Sequence, residues 1–321
     1  MTDKRPDGLK DVSELTMADA AQAKVRGARL SVLSNSGLVA LKLTVGISIG
    51  SVAVISEAVH SGVDLLAALI AFFAVRASDA PPDDDHPFGH GKIESLSGSV
   101  EALLIFGAGV YIIVEAIQAI VHGGTRPDAA GWGVLVMGVS AVVNLLVTRH
   151  LFRVARETDS VALEADAHHL KTDVWTSVGV LGGLALVYLT RQPILDPVAA
   201  IVVGIFILRT AFGISSDAVR PLVDVALPAH ELHIIKQVMQ NDKRVKGWHK
   251  LRTRKAGSYR HVDVHLLLDD EMSFQEAHDV TEEVEDAMRA SLPNVWVTIH
   301  SEPFDAEQRH QEQEGGPPAS G

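Results

Sequence analysis

Residues 51–75, SVAVISEAVHSGVDLLAALIAFFAV, decide the fold. A helix that crosses a bilayer needs about 20 mostly apolar residues. This run meets that length, and its last part, residues 65–75, carries no charge. Yet Glu57, His60 and Asp64 stand inside it. Ionisable groups in hydrocarbon are costly and face a bundle interior or a cavity. The run therefore reads as a spanning helix that needs partners.

Five more runs supply them. Residues 30–49 are interrupted only by Lys42, and residues 95–121 contain Glu101 and Glu115. Residues 129–148 are uncharged, and residues 161–190 are free of charge from Val174 onward. Residues 193–214 carry Asp196 and Arg209 near their ends. Six such runs are hard to place in a soluble helical protein. They also reconcile 47% hydrophobic residues with 21% charged ones, and a mean hydropathy of +0.19, by concentrating the apolar residues in one region. Basic residues orient the bundle. Arg76, Lys92, Arg149, Arg153 and Arg156 share one side, against Arg126 and Arg191 on the other. Both termini are expected in the cytoplasm, with the bundle in the inner (cell) membrane. The polar first 28 residues have no apolar core of the kind a signal peptide has.

Beyond residue 217 the pattern changes. Residues 228–242 and 273–292 read as amphipathic helices, and 248–254, 259–268 and 295–300 as strands. Val262, Val264 and Leu266 alternate with His261, Asp263 and His265, a period of two. The fold class expected is an α-helical membrane protein of six transmembrane helices, followed by a small cytosolic α+β domain. That domain is ferredoxin-like, ordered α-β-β-α-β, with helices on one face of an antiparallel sheet. The divisions are residues 1–28 (polar segment), 29–216 (membrane domain), 217–303 (cytosolic domain) and 304–321 (a polar, disordered tail).

Composition excludes several functions. With no cysteine there is no disulfide and no thiolate metal site or nucleophile. A net charge of −12 argues against a nucleic-acid surface.

The chemistry lies in two nonapeptides, SEAVHSGVD (56–64) and ADAHHLKTD (165–173). His60 and Asp64 are four residues apart, as are His169 and Asp173, so each pair shares one helix face. Two facing helices then offer two imidazoles and two carboxylates, the four-coordinate nitrogen and oxygen set that zinc accepts. Two aspartates, two neutral histidines and one Zn2+ sum to zero charge. Without metal the same atoms attract H+, which is the physical basis of an antiporter. In DDDHPFGHGK (83–92), Asp83, His86 and His90 could ligate a metal near the membrane surface, against the plain reading of an acidic turn shaped by Pro87 and Gly89. The cytosolic part carries His249, His261, His265, His278 and His300, with Glu302 two residues after the last.

Together with FGHGKIESL (88–96), HKLRTRKAG (249–257) and VDVHLLLDD (262–270), these motifs resemble the cation diffusion facilitator family, the bacterial zinc/proton antiporters in particular, over residues 25–303. The resemblance implies a homodimeric secondary transporter, not an enzyme. It implies a transport site of His60, Asp64, His169 and Asp173 and a loop site of Asp83, His86 and His90. It implies a cytosolic cluster of His249, His265 and His300 with His278 nearby. Lys92 and Asp224 match a charged pair that joins protomers in the bacterial relatives. Where several of those have Asp, this chain has His60, which favours zinc over manganese and cadmium. Glu302 stands where relatives have Asp. Lys171 falls outside the scheme and is expected to snorkel toward the cytoplasm. Export of Fe2+, Co2+ or Ni2+ fits the same donors. Two other classes remain: a metal-responsive membrane scaffold that transports nothing, and a membrane hydrolase with Glu57 as base.

Overall fold

The structure, a computed structural model, describes residues 17–49, 52–121, 131–192 and 194–314. Six long helices come first: α1 (Met17–Ile49), α2 (Val52–Ser78), α3 (Lys92–Val121), α4 (Gly131–Thr158), α5 (Val161–Thr190) and α6 (Leu195–Val219). Among the described residues, five of them are long and apolar enough to cross a membrane. The other is α5, whose N-terminal half carries the second nonapeptide. α1 starts at Met17, inside the segment expected to be polar and separate; residues 1–16 lie outside the described residues.

Small residues let these helices approach closely. A methyl at Gly204 on α6 would lie 2.6 Å from Ile113 Cγ1, and one at Gly109 on α3 would lie 2.9 Å from Leu208 Cδ2. Ala28, Val75, Leu151, Leu163, Ala167 and Leu170 form one buried cluster drawn from α1, α2, α4 and α5.

A 3-10 turn, Arg220–Val223, leads to the second domain: α7 (Ala229–Asn241), β1 (Gly247–Ala256), β2 (Tyr259–Leu268), α8 (Phe274–Ser291) and β3 (Val295–Pro303). The element order is the expected one. Val262, Val264 and Leu266 of β2 pack against Ile235 and Met239 of α7 and against Val280, Val284 and Met288 of α8. A reciprocal capping box between Ser273 and Glu276 starts α8.

The sheet differs from the expectation. β1 and β2 are antiparallel, but β3 lies parallel to β2, in the order β1-β2-β3. The hairpin reverses the chain, whereas α8 is a crossover that returns it in the same direction. Period-two alternation is the same for both strand senses, so the sequence pattern does not separate them. The tail also needs correction. Phe304–Glu314 is a helix, α9, where a disordered segment was expected; residues 315–321 lie outside the described residues. Its polar composition resembles a solvated tail, but Asp270 accepts the Asp305 amide at 2.8 Å at its start.

The loop between α2 and α3 meets the second domain closely. Phe88 lies 4.8 Å from the Arg254 guanidinium and 5.9 Å from the His261 ring. A methyl on Gly91 would lie 2.3 Å from the Ala256 carbonyl oxygen, so this backbone contact requires glycine.

Candidate metal sites

α2 and α5 bring the two nonapeptides together. Asp64 Oδ1 lies 3.2 Å from His169 Nε2, and Asp173 Oδ1 lies 4.0 Å from His60 Nε2. Ligand atoms of His60, Asp64 and Asp173 all fall within 4.8 Å of one another. Asp64 and His169 are buried, Asp173 half-buried and His60 exposed. The side chain of Glu57 lies outside the described ones. Lys171 is exposed, with its ammonium 5.8 Å from the Phe152 ring.

In the loop, Asp83 gathers two imidazoles. Its Oδ1 lies 3.1 Å from His86 Nδ1 and its Oδ2 3.3 Å from His90 Nε2. The backbone amide of His86, aided by the imidazoles, holds this exposed carboxyl below the usual range.

The third group is built by sheet register. His249 pairs with His265 across β1 and β2, and His265 pairs with His300 across β2 and β3. Side chains opposite one another in register share a face. Glu302 fills the gap: Oε2 lies 2.6 Å from His249 Nε2, and Oε1 lies 2.8 Å from His265 Nδ1 and 3.5 Å from His300 Nε2. Burial raises the Glu302 carboxyl, but hydrogen bonds and charge from His265 and His249 more than offset that, leaving it below the usual range. The longer Glu arm thus reaches all three rings. His278 does not join them; it sits on α8, 3.5 Å from Glu282. Sequence reasoning missed Glu307, whose Oε1 lies 3.7 Å from His249 Nδ1. The signal was hidden because the residue falls in α9.

Lys92 and Asp224 pair at 2.8 Å, tying the start of α3 to the residue after the 3-10 turn. The Lys92 hydrogen bond holds Asp224 below the usual carboxylate range.

These donor sets lead to a testable outcome for the cytosolic group. Zinc added to the full-length protein at pH 7.5 should raise the unfolding midpoint of the second domain. A ligand at 100 times its Kd contributes about 2.7 kcal/mol. A His249→Ala/His265→Ala/His300→Ala variant should lose the gain. Strong acid should abolish the gain, because protons and metal compete for the same ring nitrogens. Glu302 acts in a separate window. A carboxyl held low in the folded state stabilises above its unfolded value of ~4.3 and loses that only in stronger acid. Thermal unfolding across pH, with and without zinc, separates the two.

The chain belongs to the cation efflux family, the cation diffusion facilitators. Residues 28–223 match the cation efflux transmembrane domain, and residues 227–304 match the cation efflux protein cytoplasmic domain. An uncharacterised transporter of Synechocystis sp. is 34% identical over 91% of this chain and 94% of its own length. The cation-efflux pump FieF of Pectobacterium atrosepticum is 34% identical over 82% and 87%. Among solved structures, the metal-bound C-terminal domain of the CzcD transporter from Thermotoga maritima is 27% identical, covering 24% of this chain and 94% of that one, with a TM-score of 0.23. The protein is a multi-pass cation efflux transporter and not an enzyme.

Proposed function

We propose that this transporter exports zinc from the cytoplasm in exchange for protons, as a homodimer in the inner membrane with both termini cytoplasmic. The observation that carries the reading is the convergence of His60, Asp64, His169 and Asp173 from α2 and α5, with contacts of 3.2 and 4.0 Å. Donors around tetrahedral zinc at ~2.0–2.1 Å lie ~3.3 Å apart, so modest closure of the His60 side suffices. Two carboxylates balance one divalent ion. When metal leaves, protons restore the balance on the same atoms. The loop group and the cytosolic group would hold further ions, the latter as a regulatory sensor of cytosolic zinc.

Zinc uptake into inverted vesicles, with internal pH recorded, tests this. Uptake should release protons from the lumen and fall at low external pH; electrogenic zinc flux without a pH change would reject exchange. A panel with Fe2+, Co2+, Ni2+, Cd2+ and Mn2+ tests the choice of metal. His60→Asp should broaden selectivity toward Cd2+ or Mn2+, because it replaces an imidazole by a harder, charged oxygen donor. An unchanged order in competition assays would place selectivity elsewhere.

A further inference from the structure

Beside the four residues of the proposed transport site, two buried carboxylates of the bundle are left without a role. Glu101 on α3 is 0% exposed and Asp166 on α5 is 1% exposed. Neither Asp166 oxygen, nor Glu101 Oε2, has a hydrogen-bond partner among the described residues. Asp166 and His169 are the charged groups that act on Glu101, and His169 and Asp64 those that act on Asp166. The Ser31 hydroxyl lies beside Asp166, Asn35 Nδ2 donates to Ser31 Oγ at 3.5 Å, and Asn35 Oδ1 is buried and unpartnered.

We propose that Glu101 and Asp166, with the Asn35 amide oxygen and the Ser31 hydroxyl, form a second cation site in the membrane domain, an all-oxygen waypoint for the divalent ion on the cytoplasmic side of His169. Buried carboxylates without a cation are costly in a bilayer. Two of them match the charge of one divalent ion. Oxygen donors alone hold zinc less firmly than a set with imidazoles, so the ion would pass on to His169 and not stay.

The helices place this waypoint in line with the transport site. On α5, Asp166, His169 and Asp173 follow one face at i, i+3 and i+7. On α3, Glu94 and Glu101 are two turns apart, and on α1, Lys24, Ser31 and Asn35 share a face. The outer end of this column is closed by a tethered cation. Lys24 Nζ lies 3.0 Å from Glu94 Oε1 and also binds Asp79, while Ser160 Oγ donates to Glu94 Oε2 at 2.6 Å. An arriving divalent ion competes with that ammonium for the same carboxylates before reaching Glu101 and Asp166.

The test rests on the transport reading in one arm and is independent of it in the other. Full-length protein carrying His60→Ala, Asp64→Asn, Asp173→Asn, His86→Ala, His90→Ala, His249→Ala and His265→Ala should still bind one Co2+ equivalent in equilibrium dialysis. Adding Glu101→Gln should remove it, and adding Glu101→Asp should not. In proteoliposomes, Glu101→Gln alone should lower kcat/KM for zinc about tenfold, a loss of about 1.4 kcal/mol, and Glu101→Asp should recover most of it. Size-exclusion profiles matching the native protein certify folding. No residual Co2+ in the first background overturns the site, and so does native flux in Glu101→Gln. A variant that changes only the pH dependence of flux, with no Co2+ bound, means protons alone occupy the pair and also overturns it. Absence of zinc flux in the native protein defeats the transport reading instead, and leaves the dialysis arm standing.

Discussion

Replacing Asp64 or Asp173 by alanine should cut zinc flux at least ~100-fold, since ~3 kcal/mol lost from a buried charge cluster equals two factors of ten. The sites differ in surroundings, with Asp64 4% exposed and Asp173 half-buried, yet the charge argument is the same for both. Each substitution leaves three donors and a net positive complex in a poorly polarisable interior. Asp64→Ala also strips His169 of its 3.2 Å partner. Folding should survive, because the aspartates contribute charge and not apolar packing. Flux into vesicles, with thermal unfolding of the same preparations, checks both halves. Wild-type flux in either variant would remove the assignment of this site.

The convergence of those four residues was legible because helical spacing is local. What spacing alone left open was the cross-pairing. Asp64 meets His169 and His60 meets Asp173, so the later residue of one pair lies opposite the earlier residue of the other. That is the arrangement two helices running in opposite directions produce. The cytosolic histidines were harder. His249, His265 and His300 share a face only because β1–β2 and β2–β3 registers align them. A shift in register between His249 and Arg252, where Lys250 has a positive φ of 51°, sets the β1 side of that alignment. Such a bulge leaves no mark in a period-two pattern. The parallel sense of β3, the helix carrying Glu307 and the burial of Glu101 likewise depend on contacts distant in sequence.

Arg260→Ala should lower the stability of the second domain by ~3–5 kcal/mol, the cost of leaving a buried ion without its partner. Arg260 is 6% exposed. Its guanidinium makes a two-pronged bond to Glu231 of α7, Nε to Oε2 at 2.8 Å and Nη2 to Oε1 at 2.7 Å, and Nη1 donates to the Pro293 carbonyl at 3.1 Å. Burial opposes its charge, but the Glu231 hydrogen bond and the nearby carboxylates outweigh that and raise its pKa. One side chain therefore pins α7, β2 and the turn before β3. Small domains are stable by only ~5–15 kcal/mol, so this loss is a large share. Lysine cannot rescue it, because an ammonium does not present the planar fork that matches a carboxylate. Nη2 also reaches Asp159 Oδ2 at 2.9 Å, and Lys255 Nζ reaches Asp159 Oδ1 at 2.6 Å. Asp159 lies in the turn between α4 and α5, so these bonds fasten the cytosolic domain to the helix that carries His169 and Asp173. Asp159 is far more exposed than Glu231, with 40% of its side chain accessible against 9%. Removing it should therefore cost no more than the ~0–1 kcal/mol of a surface pair while loosening the two domains from each other. Thermal unfolding of full-length Arg260→Ala, Arg260→Lys and Asp159→Ala distinguishes the cases. The first two should melt the cytosolic domain well ahead of the native protein. The third should leave its midpoint near native but weaken any effect of cytosolic zinc on flux. An Arg260→Ala midpoint equal to native would show that Glu231 finds another partner and that the fold does not depend on this fork.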